Sequence, residues 1–341
     1  MENKIIFIVP YYGKLPKFFR EWVYTAGFLA KQKIDFLLIT DLSVDFQLPE
    51  NIHIKNISFD ELREKIQSCF DFPIALNTPY KLCDFRPAYG CVFQKEIEDY
   101  AFWGHCDVDL FWGNVRKFIT DDILENYDKI QYLGHFVLYR NYAKMNELFR
   151  LDGGIYDYKH VYSSPLNYSF DEHPGIMQIV VKHGVSNYIE TNQADISPRY
   201  TRMFISRVKN YRHQILYWQE GSVYRKYIDE NGNVGLDEFM YAHFQRKHPN
   251  SLEDWEGIPS PKAFMYRKDK FSYITPEKID KKFILKSSDY IDDVVDKKEN
   301  WNYKIEKIKK FICCSLEEKV IWLKQRKATR TLLKYKEYFQ G

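Results

Sequence analysis

The chain has 341 residues, 45 % apolar and 28 % charged, enough to bury a large core and unlike a disordered tract or a disulfide-stapled miniature. Its formal charge is +3, from 50 Lys and Arg against 47 Asp and Glu, too balanced for a dedicated nucleic-acid binder. The imbalance lies in the tail, where eleven basic side chains from Trp301 onward face four acidic ones and leave the first 300 residues net negative.

Lys4–Val9 is an apolar run closed by Pro10 and reads as a strand, followed by a loop and a helix over Pro16–Lys31. Asp35–Asp41 reads as a second strand and Ile52–Ile57 as a weaker third. Ser58, with Glu61 three residues on, has the spacing of a helix-capping box. Strands alternating with helices predict an α/β fold with a mostly parallel, doubly wound sheet, which places ligands beyond the carboxyl ends of its strands. Arg86–Tyr100 is expected to be helical and Tyr100–Asp109 to be a strand that terminates in two acids. Gln131–Tyr139 reads as one further strand, Asn141–Leu151 as a helix, and Leu151–Ser169 as a long cleft-shaping loop. Asp171, Glu172 and His173 open a helix expected over Pro174–His183. Ser186–Tyr227 shows no regular pattern, Asp229–Asn233 is a turn able to join two strands, and Leu236–Pro249 is helix-compatible.

Pro249, Pro259, Pro261 and Pro276 punctuate the chain and set a boundary near residue 280, dividing a body (1–280) from a helical extension (281–341). In that extension Ile305, Ile308, Ile312, Leu316, Val320 and Leu323 recur at steps of three or four between Lys-rich faces. Such a basic amphipathic helix, in one piece or two, packs on the body or lies on an anionic inner leaflet. Tyr338–Gly341 resembles a protease-tag remnant. Six cysteines without a C-x-x-C pair, and no signal-peptide pattern, fit free thiols in a cytoplasmic protein. No apolar run approaches the roughly 20 residues that span a bilayer, so membrane contact is expected to be peripheral.

Three clusters carry candidate chemistry. Asp107 and Asp109 close a strand; a hard divalent cation takes one or two carboxylates and keeps positions for water or phosphate oxygens. Side chains two apart on a strand share one face, so both acids can reach one ion, and Gly113-Asn114 supply a turn signal just beyond them. Upstream, Lys81 and Arg86 suit phosphate and Asp84 suits sugar hydroxyls, although a surface helix start explains all three. Downstream, His243 in Leu236–Gln245 offers the imidazole that completes a carboxylate site for a manganese-like ion, or is a core histidine.

The ordered set Phe7–Tyr12, Lys81-x-x-Asp84-x-Arg86-Pro87, Phe102–Asp109 and Phe239–Phe244 resembles bacterial GT-A glycosyltransferases of capsule and surface-polysaccharide clusters, over roughly residues 4 to 250. The resemblance implies a Rossmann-like GT-A body and a nucleotide-sugar donor, with uridine diphosphate as the expected carrier. It implies Mn2+ or Mg2+ on Asp107, Asp109 and His243, and a glycan or polyprenol-linked acceptor. By the same resemblance Tyr11 stacks on the base, Asp41 reaches the base or ribose, and Lys81, Asp84 and Arg86 line the donor sugar and phosphates. His135 falls where such enzymes contact the sugar, and Asp171 and Glu172 where they keep sugar-contacting or acceptor-activating groups; Glu172 is the favoured base if the reaction inverts. Two other readings fit the residues: a glycoside hydrolase with paired carboxylates, and a non-catalytic glycan- or nucleotide-binding protein.

Overall fold

The N-terminal apolar run forms strand β1 (Ile5–Pro10) in the computed structural model, which describes residues 3–173, 175–252, 262–289 and 293–334. It pairs in parallel with β2 (Ile34–Thr40), and β2 with β3 (Ile52–Asn56). On its other side it pairs in parallel with β4 (Phe102–Cys106). After the short β5 (Leu110–Trp112), β6 (Lys129–Leu133), β7 (Phe136–Arg140) and β8 (Asn187–Tyr188) extend the sheet to the order β3-β2-β1-β4-β7-β6-β8. Only β7 runs against the rest. The chain is thus a mixed α/β protein with a largely parallel central sheet.

Alternation along β1 builds both faces. Ile6 and Ile8 join one core with Leu62 and Ile66 of helix Phe59–Gln67, while Ile5, Phe7 and Val9 join the other with Trp22 and Val23 of helix Phe19–Gly27. Ser58 and Glu61 make the expected capping box: the Glu61 amide donates to Ser58 Oγ at 3.2 Å and the Ser58 amide to Glu61 Oε2 at 2.7 Å.

Several expected elements differ. Gln131–Tyr139 is a hairpin of β6 and β7 that reverses at Gly134-His135, with a register shift between Ile130 and Leu133. Arg86–Tyr100 is helical only to Val92, and Asn141–Leu151 holds two short turns of helix instead of one long one. Leu151–Ser169 contains the helix Tyr158–Ser163, and the helix expected from Pro174 runs Ile176–Lys182, with Pro174 itself outside the described residues. The patternless Ser186–Tyr227 supplies β9 (Gln193–Asp195), β10 (His213–Gln219) and most of β11 (Ser222–Ile228). Leu236–Pro249 is not helical: β12 (Val234–Phe239) pairs with β11 across the expected Asp229–Asn233 turn, and β13 (Tyr241–His243) follows. Its apolar spacing suits a helix, but cross-strand pairing decides.

β14 (Ala263–Arg267) and β15 (Lys270–Tyr273) complete a five-stranded sheet, β12-β11-β10-β14-β15, and a third small sheet has the order β5-β13-β9. Helix Lys281–Ser287 buries Ile284 against Ile215 and Tyr217 of β10, so the body continues past residue 280. The extension is two helices, Asp293–Cys313 and Leu316–Lys334, in contact through Phe311 and Trp322, whose ring centres are 4.8 Å apart. No helix among the described residues is long and apolar enough to cross a membrane. Pro259, Pro261 and Tyr338–Gly341 lie outside the described residues.

Candidate metal and nucleotide site

Strand order reverses direction from β1, with β2 and β3 on one side and β4 on the other, and ligands of open α/β sheets bind at such a point. A cavity of about 600 Å³ opens there, lined by Val9–Tyr12 at the end of β1 and Cys106–Asp109 at the end of β4. Lys14, Tyr80 and Arg86 line it as well.

The acids lie in the break between β4 and β5 at residues 107–109, upstream of the turn signal at Gly113. Gly113 has another use: its amide donates to Met240 O at 2.9 Å, and a Cβ there would meet Phe239 O at 2.7 Å, so glycine lets β13 approach. That approach delivers His243. In the small sheet His243 pairs with Leu110 on β5 and with Asp195 on β9, and the Phe244 amide donates to Asp109 O at 3.0 Å. Asp107, Asp109 and His243 consequently present one ligand atom each, all within 4.8 Å of one another. His243 Nε2 lies 3.5 Å from Asp109 Oδ1 and 3.9 Å from Asp107 Oδ2. Asp109 Oδ1 is fully buried and makes no hydrogen bond, its ion-pair contact being the His243 ring.

Asp195 is the residue that sequence reasoning missed. Its Oδ1 accepts from His243 Nδ1 at 2.8 Å, which turns Nε2 toward the acids, an arrangement common behind metal-binding histidines. Only the β9–β13 register brings Asp195 there, and no local pattern announces it. Burial disfavours a charged His243, yet Asp109 and Asp195 outweigh it and lift the imidazole to about 10. Burial likewise opposes ionised Asp195, but the His243 bond takes it down to about 2. Burial holds Asp109 above the usual carboxylate range, while at Asp107 the Arg86 guanidinium overcomes burial and holds it below. Three carboxyl groups thus surround one imidazole, and the Arg86 guanidinium is bound to one of them.

Arg86 is the second organiser. It donates through Nη1 to Gly134 O at 2.9 Å and Asp171 Oδ2 at 3.0 Å, and through Nη2 to Asp107. Asp171 is buried, and burial, with Glu172 and Asp84 nearby, pushes its carboxyl to about 8 despite Arg86. A Cβ on Gly134 would lie 2.6 Å from Asp171 Oδ2 and 3.2 Å from Arg86 Nη1, so glycine in the hairpin turn leaves room for that ion pair.

Other expected site residues lie elsewhere. Lys81 and Asp84 are not on the cavity: they form a buried ion pair of 2.7 Å. Lys81 Nζ also donates to Val161 O at 2.9 Å, and Asp84 accepts from the Tyr168 and Phe170 amides at 2.9 Å. The pair therefore pins the loop that presents Asp171; its polar atoms are spent inside the protein. His135 is also buried off the cavity, its ring stacked 4.0 Å from His243 and its Nδ1 3.1 Å from Tyr241 Oη. It backs the imidazole instead of facing a sugar. Asp41 is exposed just past β2 and does not line the cavity. Tyr11 does line it, with its hydroxyl donating to Lys14 O at 2.9 Å.

Residues 7–275 match the family described as "Family of unknown function (DUF6625)". The chain belongs to this family. The DUF6625 match spans every side chain of the site, from Tyr11 through Asp107 and Asp195 to His243, and stops before the two C-terminal helices. No curated protein matches the chain.

Proposed function

We propose that the chain is a divalent-metal-dependent glycosyltransferase of GT-A architecture. On this reading it takes a sugar from a nucleoside diphosphate donor, with uridine diphosphate as the expected carrier, for a surface polysaccharide or lipid-linked acceptor. The observation that carries the reading is the convergence of Asp107, Asp109 and His243 at the β1/β4 switch point, where Asp107 and Asp109 line the cavity and Asp109 Oδ1 is buried 3.5 Å from His243 Nε2.

Two carboxylates and one imidazole suit Mn2+, a transition-metal ion, more than Mg2+, which takes oxygen donors, and leave positions for diphosphate oxygens. Such an ion, when bound, supplies the charge that stabilises a departing diphosphate. The chain's own groups do the rest. Asp195 keeps Nδ1 of His243 engaged, so Nε2 is the nitrogen that gives up its proton when a cation enters. Arg86, fixed by Gly134 O, Asp107 and Asp171, is a pre-oriented cation on the cavity wall, and Lys14 adds a second. Tyr11 offers a ring for a base. Asp171 is buried behind Arg86 and does not line the cavity, so it acts by orienting that guanidinium, to which it is paired at 3.0 Å. Glu172 is half-buried and also lies off the cavity wall; it is the candidate base for an inverting transfer with the acceptor entering from its side.

A screen of nucleotide sugars for slow hydrolysis with manganese or with EDTA tests the reading without an acceptor. It expects nucleoside diphosphate release from at least one donor with manganese only. Hydrolysis indifferent to chelator, or saccharide cleavage without a nucleotide, would overturn it.

A further inference from the structure

We propose that the two C-terminal helices dock this protein on an anionic bilayer surface, through an apolar stripe on each that the body leaves uncovered. The inference is independent of the catalytic reading. On helix Asp293–Cys313, Trp301, Ile308 and Ile312 fall within an arc of roughly 60° at 3.6 residues per turn, as do Leu316, Val320 and Leu323 on helix Leu316–Lys334. All six are exposed, Leu316 by 80 % and Ile312 by 64 %, a large apolar area to leave in water.

Charge is sorted around those stripes. Lys297, Lys298, Lys304 and Lys309 flank the first, and Lys324, Arg326 and Arg330 the second, all exposed. Two acids of the first helix, on the side away from the stripe, bind the body: Asp296 accepts from Arg202 Nε at 2.8 Å, and Glu299 from the Thr201 hydroxyl at 2.6 Å. On the second helix it is Ile321 that is buried, and Gln325 that donates to Tyr168 O. The faces turned inward are therefore satisfied, and those turned outward combine apolar stripes with basic flanks.

That combination selects the occupant. A second copy would set like charge against like charge, whereas an anionic leaflet meets the lysines with phosphate and the stripe with acyl chains. Trp301 lies within the first stripe, and tryptophan favours the headgroup boundary.

The test is flotation of the full chain with vesicles of 70:30 phosphatidylcholine and phosphatidylglycerol, or of phosphatidylcholine alone, at low and at 0.5 M salt. The proposal expects flotation with the anionic vesicles at low salt and at least tenfold weaker partition into neutral vesicles or at high salt. It also expects at least tenfold weaker partition for Ile308→Glu/Ile312→Glu/Leu316→Glu, and roughly fivefold per charge for Lys304→Glu/Lys309→Glu. All five side chains are exposed, and an unchanged near-UV spectrum checks the fold. A chain that stays unbound with anionic vesicles overturns the proposal. So does a triple variant that floats like the parent, a parent dimer that the triple variant dissolves, or tighter binding to duplex DNA than to vesicles.

Discussion

Replacing Asp195 by Asn keeps the shape of the His243 support and removes its charge. In the parent, Asp195 Oδ1 accepts from Nδ1 at 2.8 Å, and both residues are buried. A hydrogen bond between charged groups contributes about 1.5–3 kcal/mol and a neutral one about 0.5–1.5, so the metal-free variant is expected to lose about 1–2 kcal/mol in urea unfolding with EDTA. The loss depends on pH in a defined way. Asp195 is lowered to about 2, so its contribution is complete above the ordinary carboxylate value of about 4 and disappears as pH falls through 2. His243 is raised to about 10, so its contribution is complete below about 6.5 and disappears as pH rises through 10. The gap between parent and variant should be widest from about pH 4 to 6.5 and narrow on either side. In the same variant Mn2+ affinity, read by calorimetry at pH 7, should fall about 10- to 100-fold, the usual effect of losing a carboxylate behind a metal-binding histidine. Parent-like Mn2+ affinity with a pH-independent stability gap would refute the reasoning.

Asp171 works in the opposite sense. With its carboxyl raised to about 8, the folded state keeps a proton that the unfolded chain releases near pH 4, so its cost to stability grows as pH rises from about 4 to 8. Asp171→Asn should flatten the fall in Tm across that window, and parallel Tm profiles would contradict the assignment. Lys81→Met leaves Asp84 buried without its cation and should cost about 3–5 kcal/mol in urea unfolding while the folded fraction keeps its nucleotide affinity. Unchanged stability with lost nucleotide binding would instead return Lys81 to the donor site. Gly134→Ala puts a methyl group 2.6 Å from Asp171 Oδ2 and should cost about 1–3 kcal/mol, measured the same way.

The parallel half of the sheet is legible in the sequence because fully buried strands such as Ile5–Pro10 and Ile34–Thr40 read as continuous apolar runs. The Asp107/Asp109 pair is legible because acids directly after such a run fall at a carboxyl end. Shorter pieces carry no period. β9 and β13 have three residues each, too few for alternation to register, so Asp195 has no signature and His243 sits in a stretch whose spacing mimics a helix. The β6–β7 reversal is hidden for a different reason: Gln131–Tyr139 is apolar on both sides of the turn, and Gly134-His135 is the only break. Burial is the remaining blind spot. Lys81 and Asp84 at spacing three look like a surface pair, and only the loop folded over them turns the pair into an interior clamp.

The most direct measurement is calorimetric titration of uridine diphosphate into the parent and into Asp109→Asn, each with Mn2+ and with EDTA. The account predicts tight binding only for the parent with Mn2+, and weak, chelator-insensitive binding for the variant with an unchanged near-UV spectrum. Equal affinity in all four titrations would contradict the claim that Asp107, Asp109 and His243 form a cation site serving a diphosphate.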